Sequence, residues 1–200
     1  MSGWHLRQAV RCLRRGSLLA YPTEAVWGLG CDPIDLAAVR RLLALKQRPA
    51  HKGLILVAAH FSDLEPFLAP LHQSVYNRVM ASWPGPVTWL LPALAWVPIE
   101  LRGVHDTIAV RVTAHPLLRQ LCEAFGGALV STSANPARRP PARNAWQVRR
   151  YFGTRSVPVL AGSTGGAATP SEIRDARNGR VLRPGKLRIR NGQDKSGFTG

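Results

Sequence analysis

Little in this chain invites covalent or metal chemistry. Its three cysteines, Cys12, Cys31 and Cys122, are an odd number at wide spacing, which argues against a disulfide framework or a CxxC site and leaves reduced packing thiols as the default. Six histidines occur without HExxH or an i, i+4 pair, so no zinc site is indicated; His51, beside a basic stretch, is the one to watch. No run approaches the ~18 uninterrupted apolar residues of a membrane span, and Met1 to Gly16 is too polar for a secretory segment. No membrane association and a cytoplasmic location are therefore expected. GxxxxGK[ST], GxSxG, the kinase motifs and a GxGxxG after a strand are all missing, which removes the P-loop, nucleophile-elbow and dinucleotide readings.

Acidic residues are scarce as well. Against 11 aspartates and glutamates stand 27 lysines and arginines, a formal net charge of +16. Such an excess calls for an anionic partner: nucleic acid, a polyphosphate ligand or a membrane surface. The cations are mostly arginine and thicken in the second half, at Arg138-Arg139, Arg143, Arg149-Arg150, Arg155 and the terminal Lys186, Arg188 and Arg190. Arginine suits bidentate phosphate contact. A merely solvated arginine surface is the bland alternative, and a membrane is the weakest option, because these arginines do not form one face of a long amphipathic helix.

With 46% apolar residues in 200, the chain can bury a proper core. One globular domain, residues 1–185, is expected, followed by a basic, flexible tail at 186–200. Apolar spacing predicts a helix over Trp4 to Arg15, a strand over Ser17 to Tyr21, and a helix capped by Asp35 that runs into Lys46-Gln47-Arg48-Pro49. A strand Leu54 to Val57 follows, then a short helix opened by a Ser62-x-x-Glu65 capping box and another over Gln73 to Trp83. Strands are expected at Val87–Leu91, Thr107–Thr113, Ala128–Val130 and Val157–Ala161. Helices are expected from His115-Pro116 to Phe125 and from Asn144 through Tyr151. This order implies an α/β fold with a mixed sheet.

Polar groups cluster at strand ends. Tyr21-Pro22-Thr23-Glu24 reads as a rigid corner, after which Gly28 and Gly30 let the backbone bend closely around it. Lys46 and Arg48 complement the end of a helix or, at alternate positions of an extended segment, form a two-pronged phosphate clamp. Arg111 alternates with small residues on a strand face, open to solvent or to an anionic ligand. Ser131, Ser133 and Asn135 end a strand as either a polar turn or a ligand cradle. Gly162 to Gly166 is a loop rich in hydroxyl and backbone donors.

Taken together, YPTEAVWGLG, LKQRP, PGPVT, AVRVT, STSAN, GSTGG and PSEIRD, in this order, closely resemble the YrdC/TsaC family, the threonylcarbamoyl-AMP synthases, over residues 4 to 185. The resemblance implies a twisted, open mixed sheet with flanking helices and a positively charged concave face. It implies that L-threonine, bicarbonate or CO2, and ATP give threonylcarbamoyl-AMP and pyrophosphate. The product would pass to a transferase complex for t6A modification of tRNA.

By the same resemblance Lys46, Arg48, Ser133, Asn135 and Ser171 are assigned to ATP, with Lys46 and Arg48 the catalytic pair. Thr23, Arg111, Ser131 and Thr164 are assigned to threonine. Mg2+ is expected on the phosphates, with no carboxylate cluster to mark a protein ligand. Glu24 has no assigned role; it either orients its loop or balances Lys46 and Arg48. One departure stands out: Pro136-Ala137-Arg138-Arg139 replaces the family's usual Ser-Gly turn and puts two extra cations at the nucleotide lip. The competing class is a double-stranded RNA or tRNA binding module without adenylation activity. A carbamoyl-adenylating domain of hydrogenase maturation ranks last.

Overall fold

The computed structural model describes residues 3–153, 156–167 and 169–185. The expected basic tail at 186–200 lies outside the described residues. The chain forms an α/β structure in which helices flank one eight-stranded mixed sheet.

Local chemistry sets the helices. In α1 (Gly3–Arg14), Ala9, Val10 and Leu13 recur at helical spacing and are buried. The Asp35 carboxylate accepts from Ala38 N at 2.9 Å and starts α2 (Leu36–Lys46), which ends where Gln47 turns left-handed at φ 51°. His115 caps α5 (Pro116–Phe125), and Gly126 closes it at φ 86°. Asn144 caps α6 (Ala145–Phe152) by accepting from Gln147 N. Two further α-helices among the described residues are α3 (Gln73–Met80) and the single turn α4 (Ile99–Arg102).

The strands are β1 (Leu19–Pro22), β2 (Trp27–Gly30), β3 (Ile55–Ala58), β4 (Val87–Pro92), β5 (Thr107–Val112), β6 (Leu129–Ser133), β7 (Glu172–Asp175) and β8 (Val181–Arg183). Their spatial order is β1-β2-β6-β3-β5-β4-β7-β8. The β3/β5 and β4/β7 pairs are parallel and the others antiparallel. In this register Ile55 faces both Ala109 and Ser131, while Gly28 lies opposite Ser133.

The two faces of the sheet are covered unequally, and this creates the site. On one face Leu56, Val110 and Val130 pack with Val39 and Leu42 of α2, Val79 of α3, and Val148 and Phe152 of α6 in the larger core. On the other, Val57 and Leu129 pack under Val10 and Leu13 of α1 and Leu118 and Leu121 of α5. Because side chains alternate along a strand, Ile55, Arg111, Ser131 and Ser133 share that second face. They lie beyond the helices and line an open cavity.

Several local expectations are corrected. The stretch read as a glycine bend is the buried strand β2, and its glycines serve close packing. A Cβ on Gly30 would stand 1.9 Å from Val130 O and 2.5 Å from Tyr21 Oη; one on Gly28 would stand 2.8 Å from the Tyr21 ring. Tyr21 lies across β2 in the room they leave and donates its hydroxyl to Val130 O at 3.0 Å.

The helix expected after Ser62 is two 3-10 turns, Phe61–Asp63 and Glu65–Phe67. His60, two residues before Ser62, makes the reciprocal cap with Asp63, and Pro66 cannot donate within the second turn. The helix over Gln73 to Trp83 stops at Met80. The strand expected at Val157–Ala161 is a single bridge between Val159 and Ala20, flanked by Pro158, which has no N–H to give. The short helix α4 and the strands β7 and β8 were not anticipated.

Candidate active site

Stretches distant in the chain meet around a cavity of about 280 Å3: the corner after β1, the exit of α2, the strands β3, β5 and β6, the loop before β7, and β8. Its charged lining is Arg48, Arg111, Arg183 and one carboxylate, Glu24. Thr23, Ser131, Ser133 and Ser171 supply hydroxyls to the same wall.

The corner is a closed turn. Thr23 donates its hydroxyl to Val26 O at 2.7 Å, and its N–H bonds the same carbonyl. Glu24 then points under the sheet, where Oε1 accepts from Thr113 Oγ1 at 2.6 Å and from Ala114 N at 3.2 Å. Its other oxygen stands 3.2 Å from Arg111 Nη2. That contact is an ion pair by distance but is misaligned as a hydrogen bond, since Glu24 Oε2 and Arg111 Nε are buried with no hydrogen-bond partner among the described residues. Burial alone pushes the Glu24 carboxyl up, yet the Arg111 charge and the Thr113 hydroxyl outweigh it and hold the carboxyl below its ordinary value. Arg111, for which solvent exposure was one of two readings, is 7% exposed. Glu24 therefore balances Arg111, not Lys46 and Arg48.

Lys46 and Arg48 do not form an extended clamp. Lys46 is the last helical residue of α2, and the left-handed Gln47 turns the chain between the two. Lys46 runs inward and donates to the carbonyls of Ser133 and Asn135, the latter at 2.8 Å. Burial first, and Arg48 second, lower its pKa to about 8. Arg48 faces the cavity, braced by Nε to Gly53 O at 3.0 Å.

The turn after β6 is a supported shelf. Ser133 donates its hydroxyl to Asn135 Oδ1 at 2.6 Å, and Asn135 Nδ2 donates to Arg139 O at 2.7 Å. Lys46 and Asn135 thus stand behind the wall and are not among the cavity's lining residues.

Opposite, Ser171 shares a hydrogen bond with Thr88 Oγ1 at 2.9 Å and accepts on its carbonyl from Arg183 Nη2 at 2.7 Å. Arg183 as a residue is exposed, but its guanidinium is partly desolvated; burial, then Arg111, then Arg48 lower its pKa. Sequence reasoning missed this third arginine, because it comes from a short C-terminal strand with no motif of its own.

A strap closes the corner from above. Gly165 N donates to Thr23 O at 3.0 Å, Ala167 N donates to Glu24 O at 2.8 Å, and His115 Nε2 meets Ser163 O at 3.0 Å. A Cβ on Gly165 would press to 3.1 Å on Glu24 O. Thr164 sits half-buried in this strap and does not line the cavity. His51 is exposed and also lies off the cavity wall.

Among the described residues no three histidine, cysteine, aspartate or glutamate side chains cluster as metal ligands. Glu24, the one carboxylate of the cavity, is already committed to Arg111 and Thr113. The donor set among the described residues does not fit a resident divalent ion. No helix among the described residues is long and apolar enough to cross a membrane.

The site belongs to a class in which an open α/β sheet carries, at its strand ends, a cavity lined by arginines, groups whose planar fork suits phosphate and carboxylate. The chain belongs to the Sua5/YciO/YrdC family: that family model, described as Telomere recombination, matches residues 11–185. A threonylcarbamoyl-AMP synthase of Halorhodospira halophila is 56% identical over 180 residues, 90% of this chain and 94% of that protein. The protein of the same name from Nitrosococcus oceani is 57% identical over 90% of this chain and 97% of its own. Among solved structures, P. abyssi Sua5 complexed with L-threonine superposes with a TM-score of 0.85 at 33% identity, covering 94% of this chain and 56% of that longer one. E. coli YciO matches with a TM-score of 0.80 at 24% identity over 94% of this chain and 93% of that one, a likeness of fold.

Proposed function

We propose that this protein is a threonylcarbamoyl-AMP synthase, a nucleotidyltransferase that converts L-threonine, bicarbonate or CO2, and ATP to L-threonylcarbamoyladenylate and pyrophosphate. One observation carries the reading: Arg48, Arg111 and Arg183 converge on a single hydroxyl-lined cavity in a chain 56% identical to a protein of that name.

The amine of threonine takes up CO2 and releases a proton, giving a carbamate. A carbamate oxygen then attacks the α-phosphorus of ATP, the α–β phosphoanhydride bond breaks, and its electron pair leaves on pyrophosphate. No covalent enzyme intermediate is needed, so the protein's work is positioning and charge stabilisation. Arg48 and Arg183 offset the charge of the triphosphate and of the leaving pyrophosphate. Arg111 receives the threonine carboxylate, with Thr23 and Ser131 beside it. Ser133 lies on the nucleotide shelf, Lys46 and Asn135 hold that shelf from behind, Ser171 anchors Arg183, and Thr164 acts through the strap. Mg2+ rides on the phosphates. The product serves t6A modification of tRNA through a downstream transferase complex, in the cytoplasm.

The test is pyrophosphate release with each substrate omitted in turn. Release that requires ATP, threonine and bicarbonate together supports the reading. Release that ignores threonine, or none with all three present, refutes it.

A further inference from the structure

The strap over the corner, residues 161–167, has no buried apolar side chain to hold it. All of it is exposed except the half-buried Thr164, and Gly162, Gly165 and Gly166 have more backbone freedom to lose on ordering than other residues would. Among the described residues three hydrogen bonds tie it down: Gly165 N to Thr23 O, Ala167 N to Glu24 O, and the His115 imidazole to Ser163 O. The first two join backbone to backbone. The third alone depends on a side chain.

His115 is 6% exposed and does not line the cavity. Its two ring nitrogens face groups of opposite kind. Leu118 N can only donate and meets Nδ1 at 3.4 Å, which caps α5, whereas Ser163 O can only accept and meets Nε2 at 3.0 Å. Both are satisfied only by the neutral imidazole with its proton on Nε2. Serine, threonine, aspartate or asparagine would cap the helix as well, but none of them offers a second group that reaches beyond the cap. The backbone of the same residue is fixed to the buried ion pair: His115 N donates to Thr113 Oγ1 at 3.1 Å, and that hydroxyl donates to Glu24, whose other oxygen faces Arg111. One residue thus joins α5, the Glu24–Arg111 pair and the strap.

We propose that His115 is a positioning residue for the reaction: its Nε2 proton holds the strap against the Thr23–Glu24 corner and thereby sets the stretch of cavity wall that begins at Ala167 and includes Thr169, Pro170 and Ser171. Released at Ser163, the strap keeps only its two backbone bonds on a glycine-rich chain, and the wall loses its register with Thr23 and Arg111. Binding of the amino acid placed there bears the loss, more than the chemistry at phosphorus does. The identity of that ligand rests on the proposed activity; the tie itself stands on hydrogen-bond geometry.

The test uses the whole chain and two substitutions that divide the two roles of the ring. His115→Asn keeps an acceptor for Leu118 N but is too short to reach Ser163 O; His115→Gln places an amide donor near the Nε2 position and caps poorly. His115→Asn should unfold at the wild-type urea midpoint, yet the Gly165 and Ala167 amides should exchange with deuterium about fivefold faster without substrates, the weight of one hydrogen bond. Its KM for threonine should rise about fivefold as well, with kcat changed less. His115→Gln should unfold at lower urea while recovering most of the slow exchange and of the low KM. A residue that serves only as a cap predicts the reverse order, with exchange and KM following the midpoint and His115→Gln the worse variant. That order, wild-type exchange in His115→Asn, or faster exchange there with an unchanged KM overturns the proposal. Because exchange is read without ATP or threonine, failure of the tie and failure of the synthase reading are told apart.

Discussion

Glu24 Oε2 and Arg111 Nη2 face each other at 3.2 Å beneath the sheet, with side chains only 15% and 9% exposed. Neither charge is at home there alone, and each is the other's main compensation. Substituting Glu24→Gln removes the negative charge and leaves the arginine buried and unpaired, at an expected cost of about 3 kcal/mol. A urea titration reads this as a lowered midpoint. With Arg111 no longer held, the apparent KM for threonine should rise more than kcat falls.

The same pair predicts a pH dependence. The folded-state pKa of Glu24 is depressed, so its contribution is present above the unfolded value and is lost as pH falls through the folded one. Thermal unfolding of the wild type should show an acid loss that is smaller in Glu24→Gln. Equal acid loss in the two proteins would place the sensitive carboxylate elsewhere.

Lys46 works in the opposite sense. Its folded-state pKa of about 8 lies below the ordinary 10.5, so the folded protein releases this proton first. Stability should rise as pH climbs through that window, while below it the cost of burying the charged ammonium is fully present and this proton adds no pH dependence. Lys46→Met, which keeps the stem and deletes the ammonium, should flatten the rise between pH 8 and 10.5. It should also slow pyrophosphate release, because the carbonyls of Ser133 and Asn135 lose the donor that fixes the nucleotide shelf.

The glycines of β2 give a test of packing. Gly30→Ala would force a methyl to within 1.9 Å of Val130 O and 2.5 Å of Tyr21 Oη. Backbone must move, and a loss of about 3 kcal/mol or more is expected. Tyr21→Phe keeps the ring and deletes only the bond to Val130 O, for about 1 kcal/mol. Urea midpoints of the two variants should therefore differ clearly.

That contrast also shows which features were legible in the sequence. Helices with strong apolar spacing and caps, such as those opened by Asp35, His115 and Asn144, were readable because their signals are local. The glycines of Trp27 to Gly30 looked like a bend because their reason, a tyrosine ring laid across the neighbouring strand, is a tertiary contact. Likewise Thr23, Arg48, Arg111, Ser131, Ser133 and Ser171 could be named from strand ends and family motifs. That they share one wall while Lys46 and Asn135 stand behind it depends on how β6 docks between β2 and β3. Glu24 could not be assigned, because its partner lies far along the chain on β5.

Arg183 was invisible in the sequence for the same reason, and it yields the sharpest test of the cavity. It reaches the site only because β8 pairs with β7 and β7 with β4, bringing its guanidinium to Ser171 O and near Arg111 and Arg48. Three cations so placed repel one another when no anion binds between them, so deleting one should not harm the fold. Arg183→Ala should therefore unfold at the wild-type midpoint or slightly above it. An anionic nucleotide reverses the balance, since each arginine then gains a charge-assisted bond worth about 1.5–3 kcal/mol. The apparent KM for ATP should rise about tenfold or more, with the threonine dependence far less affected. Lysine at this position keeps the charge but loses the fork to Ser171 O, so Arg183→Lys should recover only part of the loss. Unchanged ATP dependence in Arg183→Ala would remove this strand from the nucleotide site and confine the triphosphate to the Arg48 side.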